Sequence, residues 1–238
     1  MDTFSETTDT AEPHVFPLHF IWICDCSGSM EGAKINSLNR AIADGLDSMR
    51  LAAQQHPDMD IRVRSLGFGS DVTWEIESPT PLEEITWRDL TPGGDETSMG
   101  LALSEVAAQL TVPPMEAEAY PPILALVSDG MPTDNFDLGL QRLMDTRWGK
   151  NAMRVAIALG QTADRDPLKR FISNPDVPML TADNSDHLAE HIHRISTRGI
   201  EVVSDASGAD ANAALDASFG SRDSEEDEDD NRPKSVIW

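Results

Sequence analysis

The 238-residue chain is strongly acidic, with 42 aspartates and glutamates against 18 lysines and arginines and a formal net charge of −24. This charge argues against binding to a nucleic-acid backbone or to an anionic membrane surface, and it favours cations and basic partners. The length is sufficient for one large hydrophobic core. We therefore expect a single main domain that binds neither nucleic acid nor membrane.

The cysteines and the amino-terminal segment indicate the compartment. Cys24 and Cys26 are the only cysteines, and residues two apart on one strand do not readily form a disulfide, so we expect reduced thiols. Residues 1–12 are acidic and rich in threonine, unlike a signal peptide. No apolar run approaches the roughly 18 residues that a membrane span requires. We predict a cytoplasmic protein.

The first predicted element is a continuously apolar strand that ends in a polar loop. Residues 1–15 are interpreted as a flexible arm, and residues 18–25 form the strand, which is apolar enough to be central and parallel. It places Asp25 at its carboxyl end, and Ser27 and Ser29 follow on a turn where their hydroxyls can point to one side. Hard divalent cations take such oxygen ligands, so this stretch predicts a metal site.

Helical and strand patterns then alternate along the chain. The predicted strands are residues 18–25, 61–68, 72–76, 121–128, 154–159 and 177–180. The predicted helices are residues 35–55, 99–110, 136–148, 164–173 and 185–198. This order predicts an α/β fold with a doubly wound, mostly parallel central sheet and one antiparallel edge strand. A ligand of such a sheet binds outside the carboxyl ends of the strands.

Two further polar loops are expected at the edge of the sheet where the strands have their carboxyl ends. Residues 93–97 read Gly-Gly-Asp-Glu-Thr immediately before a helix, and residues 128–134 read Ser-Asp-Gly-Met-Pro-Thr-Asp immediately after a strand. Thr97 and Asp129 are therefore candidates to join the first loop.

The three loops together resemble the metal-ion-dependent adhesion site of von Willebrand factor type A domains, and the resemblance covers residues 16–199. It implies that Asp25, Ser27 and Ser29 hold a divalent cation, that Thr97 engages when a ligand binds, and that Asp129 acts directly or through water. One residue commonly separates the glycines from the threonine in this family, and two do so here, so the resemblance leaves open whether Thr97 or Ser98 faces the ion. It also implies an open coordination position that an Asp or Glu of a protein partner completes. We expect Mg²⁺, with Mn²⁺ and Ca²⁺ as alternatives.

Within this family, the third loop and the short form resemble the bacterial proteins associated with tellurium resistance. This resemblance implies a stress response or a kinase–phosphatase signalling complex, with a kinase or phosphatase encoded nearby as the partner. We expect partner contacts from Asp95, Glu96 and Met131 beside the site, and from Trp238.

The carboxyl-terminal part is predicted to lie outside the domain. Residues 200–220 are interpreted as a flexible linker, and residues 221–238 as a disordered acidic tail with an apolar end. Because a tethered segment has a high effective concentration, the acidic run at residues 225–230 could dock on its own metal site and compete with the partner.

A metal-dependent phosphohydrolase that uses Asp25 is the alternative function. Position 27 is serine where such enzymes place a second carboxylate, and the chain has no nucleophile elbow and no phosphate-binding loop. A zinc-peptidase pattern at His187, Glu190 and His191 lacks a third ligand. We therefore predict a binding protein and not an enzyme.

Overall fold

The computed structural model describes residues 15–174, residues 177–205 and Trp238, and within them the central feature is a six-stranded sheet. The strand order across the sheet is β3-β2-β1-β4-β5-β6, and only the pairing of β2 with β3 is antiparallel. The strands are β1 (Phe16–Asp25), β2 (Met59–Phe68), β3 (Val72–Pro81), β4 (Ile123–Ser128), β5 (Met153–Leu159) and β6 (Leu180–Ala182). The predicted doubly wound sheet with one antiparallel edge strand is confirmed.

Helices cover both faces of this sheet. In the described part of the chain, the α-helices are α1 (Ala33–Ala53), α2 (Met99–Gln109), α3 (Phe136–Asp145), α4 (Arg147–Asn151), α5 (Arg165–Ile172) and α6 (Ser185–Asp205). The helix α1 packs on α6, and α2 packs on α3. Ile35, Leu38 and Ile42 recur at helical spacing and are buried, which fixes the inward face of α1. The central strands β1 and β4 are therefore buried on both sides, as their continuously apolar sequences predict.

Several element boundaries differ from the predicted ones. The strand β3 continues to Pro81, and an edge strand tolerates its prolines because its outer amides need no partner. The predicted helix over residues 136–148 is interrupted at Thr146, whose Oγ1 accepts a hydrogen bond from the Gly149 amide (2.9 Å) and starts α4. The last strand begins at Leu180 and not at residue 177.

The final helix is longer than predicted. It continues to Asp205, and Ile200, Val202 and Val203 are buried against the core, so the first residues of the predicted linker are helical. The rest of the linker and the acidic tail, except Trp238, lie outside the described residues, as does most of the predicted arm. No helix in the described part of the chain is long and apolar enough to cross a membrane.

Candidate metal centre

The topology brings the first and third polar loops together. The strands β1 and β4 are parallel neighbours, with Cys24 opposite Val127, so Asp25 and Asp129 follow at the same edge of the sheet. The chain winds from β1 to β2 on one side and reaches β4 on the other. This is the topological switch point, where loops separate and leave room for a ligand.

Asp25 is completely buried, and hydrogen bonds orient both of its oxygens. Oδ1 accepts a hydrogen bond from the Ser27 amide (2.8 Å), and Oδ2 accepts one from Ser128 Oγ (2.5 Å). Burial raises the pKa of the Asp25 carboxyl, the hydrogen bonds from Ser128 and Ser27 lower it, and the nearby Asp129 raises it. A group that is costly to keep charged in the absence of a cation is suited to hold one.

Asp129 connects the third loop to the first. Ser29 Oγ donates a hydrogen bond to Asp129 Oδ1 (2.7 Å) and lies 3.0 Å from Ser27 Oγ. The Lys34 ammonium donates to Asp129 Oδ2. The side chains of Ser27, Ser29 and Asp129 thus form one hydrogen-bonded group at the edge of the sheet beside Asp25.

The loop before α2 places Thr97, and not Ser98, toward this group. Ser98 Oγ donates to the carbonyl oxygen of Ser70 (3.4 Å). Thr97 Oγ1 lies 3.2 Å from the point that a Cβ atom on residue 130 would occupy, and Asp25 Oδ2 lies 3.6 Å from the same point. The Thr97 side chain makes no hydrogen bond within the described part of the chain. Of these two hydroxyls, that of Thr97 therefore lies near Asp25, while that of Ser98 contacts the backbone of Ser70.

The donor set and the space between its members fit a divalent cation. Two carboxylates neutralise a charge of +2, and hydroxyls and water are the other ligands that Mg²⁺ accepts. Gly130 leaves open the space between Thr97 Oγ1 and Asp25 Oδ2, which any side chain at that position would begin to fill. Among the described residues, no group of three or more His, Cys, Asp or Glu side chains is arranged to hold a metal ion without other ligands.

Both cysteines flank Asp25 and are free and buried. Burial raises the pKa of Cys26 to about 12 and also raises that of Cys24. Because the thiolate is the reactive form, this burial disfavours reaction of both thiols at neutral pH.

The four residues predicted to contact a partner lie in three places. Asp95 and Glu96 are exposed beside the first loop, with Asp95 Oδ1 3.1 Å from the Cβ position of Gly28. Met131 is 66% exposed and lines a shallow groove of about 240 Å³ together with Phe136 and Arg170. Trp238 packs against the body of the protein instead, and its amide donates to the carbonyl oxygen of Asp183 (3.1 Å).

Four further residues shape the site and were not predicted from the sequence: Ser128, Lys34, Thr133 and Asp134. Thr133 exchanges hydrogen bonds with the backbone of Thr97, and the Asp134 carboxylate accepts from the amides of Gly100 and Leu101 at the start of α2 (2.8 and 2.7 Å). Three of the four belong to the quoted third loop, where further polar side chains were the available signal. No sequence signal indicates the contact of Lys34 with Asp129.

Comparison with known proteins supports the fold. Residues 21–194 match the family model described as von Willebrand factor type A domain. A von Willebrand factor type A protein from Catenulispora acidiphila superposes with a TM-score of 0.59 at 15% identity, over 78% of this chain and 43% of that one.

Two further solved structures contain metal. The manganese-loaded TRAP protein of Plasmodium vivax gives a TM-score of 0.53 at 21% identity and covers 75% of this chain and 72% of its own. Proximal thread matrix protein 1 from the mussel byssus, with a zinc-occupied MIDAS motif, gives a TM-score of 0.54 at 13% identity. The match covers 79% of this chain and 46% of the mussel protein. At these identities the likeness establishes the fold alone. The chain spans less than half the length of the Catenulispora and mussel proteins.

Proposed function

The chain is a member of the von Willebrand factor type A domain family, and on that premise we propose that it is a non-enzymatic, metal-dependent module that binds carboxylate groups of other proteins. The observation that carries this proposal is the convergence of Asp25, Ser27, Ser29, Thr97 and Asp129 at one edge of the sheet. They are oxygen donors from three separate loops, which is the donor set of a hard divalent cation.

Each residue has a distinct part in the proposed site. Asp25, Ser27 and Ser29 hold the cation, Asp129 faces it directly or through water, and Thr97 engages when a partner carboxylate arrives. A bound divalent cation supplies the local positive charge that an acidic protein otherwise lacks for an acidic ligand. We take Mg²⁺ as the resident ion because all donors are oxygens, and the metal-loaded relatives support a divalent cation in general.

The partner is proposed to be a protein that presents an Asp or Glu side chain. The exposed Asp95, Glu96 and Met131 border the site and would meet such a protein around the metal. The resemblance of the third loop to tellurium-resistance proteins makes a kinase or a phosphatase encoded nearby the first candidate to test.

Calorimetric titration of Mg²⁺ into the metal-free full-length protein tests the proposal. Wild type is expected to bind one Mg²⁺ ion, and Asp25→Ala is expected to bind it at least about tenfold more weakly. The reason is that removal of one charged ligand costs roughly 1.5 kcal/mol or more of binding free energy. Asp44→Ala is the matched control, since it removes an exposed carboxylate of α1 that pairs only loosely with Arg40.

Equal Mg²⁺ binding by wild type and Asp25→Ala would contradict the proposed metal site. The absence of enzymatic activity is tested separately with generic phosphoesters in the presence of Mg²⁺ or Mn²⁺. Turnover by wild type that is lost in Asp25→Ala would replace the binding module with a hydrolase.

A further inference from the structure

Lys34 is a cation that the fold itself brings to the metal centre. It is the second residue of α1, directly after the loop that carries Ser27 and Ser29, and its ammonium pairs with Asp129 Oδ2. Only 19% of the Lys34 side chain and 2% of the Asp129 side chain are exposed. The pair is thus largely shielded from water, where charges interact more strongly than they do at an open surface.

The pairing occupies the carboxylate that a metal would need. Asp129 Oδ1 accepts from Ser29 Oγ, and Oδ2 accepts from Lys34, so both oxygens are engaged. The Asp25 carboxyl instead accepts hydrogen bonds from the serines Ser27 and Ser128, neither of which carries a charge. Lys34 therefore compensates the charge of Asp129, which is one of the two buried carboxylates of the candidate metal centre.

We propose that the Lys34 ammonium is a built-in competitor of the divalent cation for Asp129. This inference rests on the proposed function, since it concerns the same metal site. In the metal-free protein Lys34 compensates the Asp129 charge, and a cation that enters beside Asp25 has to share Asp129 with the ammonium and to tolerate its like charge. Coupling between two ligands of one site is reciprocal, so metal binding weakens the Lys34 contact by the same factor.

The competition has two opposite consequences for the protein. It stabilises the fold without metal, because two neighbouring buried carboxylates do not remain uncompensated. It also lowers the affinity for the ion below the value that the ligands alone would give. A different role, in which Lys34 only orients Asp129 for the metal, makes the contrary prediction that its removal weakens metal binding.

Lys34→Gln distinguishes the two roles, because glutamine keeps the polar chain and removes the charge. Calorimetry is expected to give a Mg²⁺ affinity at least about fivefold higher for Lys34→Gln than for wild type. This factor is at the lower end of the affinity changes that are typical of coupled binding sites. Metal-free Lys34→Gln is expected to melt at a lower temperature than wild type, and saturating Mg²⁺ is expected to raise its Tm by a larger increment. Lys150→Gln is the matched control, because it removes the same charge from α4, which precedes β5 at the opposite edge of the sheet.

The outcomes separate this inference from the proposed function. Unchanged or weaker Mg²⁺ binding by Lys34→Gln overturns the competition, while the proposed function stands if wild type binds and Asp25→Ala does not. Absence of Mg²⁺ binding by wild type overturns both. If Lys150→Gln also binds Mg²⁺ more tightly, and to the same extent, the change in affinity results from the overall charge of the protein. That result would also overturn the role of Lys34.

Discussion

At the scale of single residues, His19 links the stability of this fold to pH. The side chain is completely buried in β1, and Nε2 lies 2.7 Å from Glu116 Oε2. Burial lowers the pKa of His19 below its ordinary value of 6.5, and the hydrogen bond to Glu116 only partly opposes this. The nearby Arg64 and Arg62 lower it further. The folded protein therefore keeps this ring neutral where the unfolded chain already binds a proton.

The sign of the pH dependence follows from this difference in proton uptake. Stability from His19 is fully present above pH 6.5 and is lost as the pH falls below that value. We expect His19→Asn to lose less unfolding free energy than wild type between pH 7.5 and 5.5, by at most about 1.4 kcal/mol per pH unit. Urea unfolding at the two pH values measures the difference, in a window above the ordinary Glu116 pKa of 4.5.

Two histidines of α6, His187 and His191, have to be considered in the interpretation of this measurement. The pKa of His191 is also lowered, chiefly by burial, so its contribution has the same sign and remains in both proteins. His187→Asn is the matched control, because it makes the same substitution at an exposed position. If His19→Asn and His187→Asn lose equal stability on acidification, the assignment to His19 is wrong.

At the scale of elements, the third loop holds the start of α2 in place. The Asp134 carboxylate accepts hydrogen bonds from the amides of Gly100 and Leu101, which belong to the unsatisfied donors of a helix start. Its negative charge also complements the positive end of the helix. Because Thr97 stands just before this helix, we expect Asp134 to help position the Thr97 hydroxyl without itself being a ligand of the candidate metal centre.

Asp134→Ala is expected to lower the unfolding free energy by about 1 to 2 kcal/mol, as for other lost helix caps. Each kcal/mol lowers Tm by roughly 2 to 4 °C in a domain of this size. The Mg²⁺ affinity should also decrease, because Thr97 is less well positioned. Asp134→Asn retains one acceptor and should show a smaller loss in both measurements; a wild-type Tm and affinity in Asp134→Ala would exclude this role.

The sequence predicts the order of these elements better than it predicts their ends. Continuous apolar runs and helical spacing are local properties, and they correctly indicated the parallel strands and the helices on both faces. The end of α6 was missed because the burial of Val202 and Val203 depends on distant parts of the core. The choice of Thr97 over Ser98 depends on contacts with Ser70 and Thr133, which lie 28 and 36 residues away in the chain.

At the scale of the whole molecule, the charge distribution and the site have to be considered together. The net charge of −24 repels an acidic partner at long range, and the exposed Asp95 and Glu96 add to this beside the site. A divalent cation changes the sign of the charge only locally. Binding of a carboxylate ligand is therefore expected to depend strictly on metal, since the rest of the surface offers it little attraction.

Trp238 is held at the same edge of the sheet as the candidate metal centre. Its amide donates to the carbonyl oxygen of Asp183, just beyond β6, and its carbonyl oxygen lies 3.7 Å from the Cβ position of Gly160, just beyond β5. The indole ring is partly buried against the core, and its Nε1 has no hydrogen-bond partner among the described residues. Hydrophobic contact, and not a polar contact of the ring, therefore holds the side chain.

Trp238→Ala is expected to lower the unfolding free energy by about 1 to 2 kcal/mol, somewhat less than the value for a fully buried aromatic side chain. Thermal unfolding of the full-length protein should show a Tm lower by a few degrees. Trp238→Phe is the matched control, because it keeps an aromatic ring and removes an N–H group that has no partner among the described residues. It should melt close to wild type, and a Trp238→Ala variant that melts as high as Trp238→Phe would show that the ring does not stabilise the domain in solution.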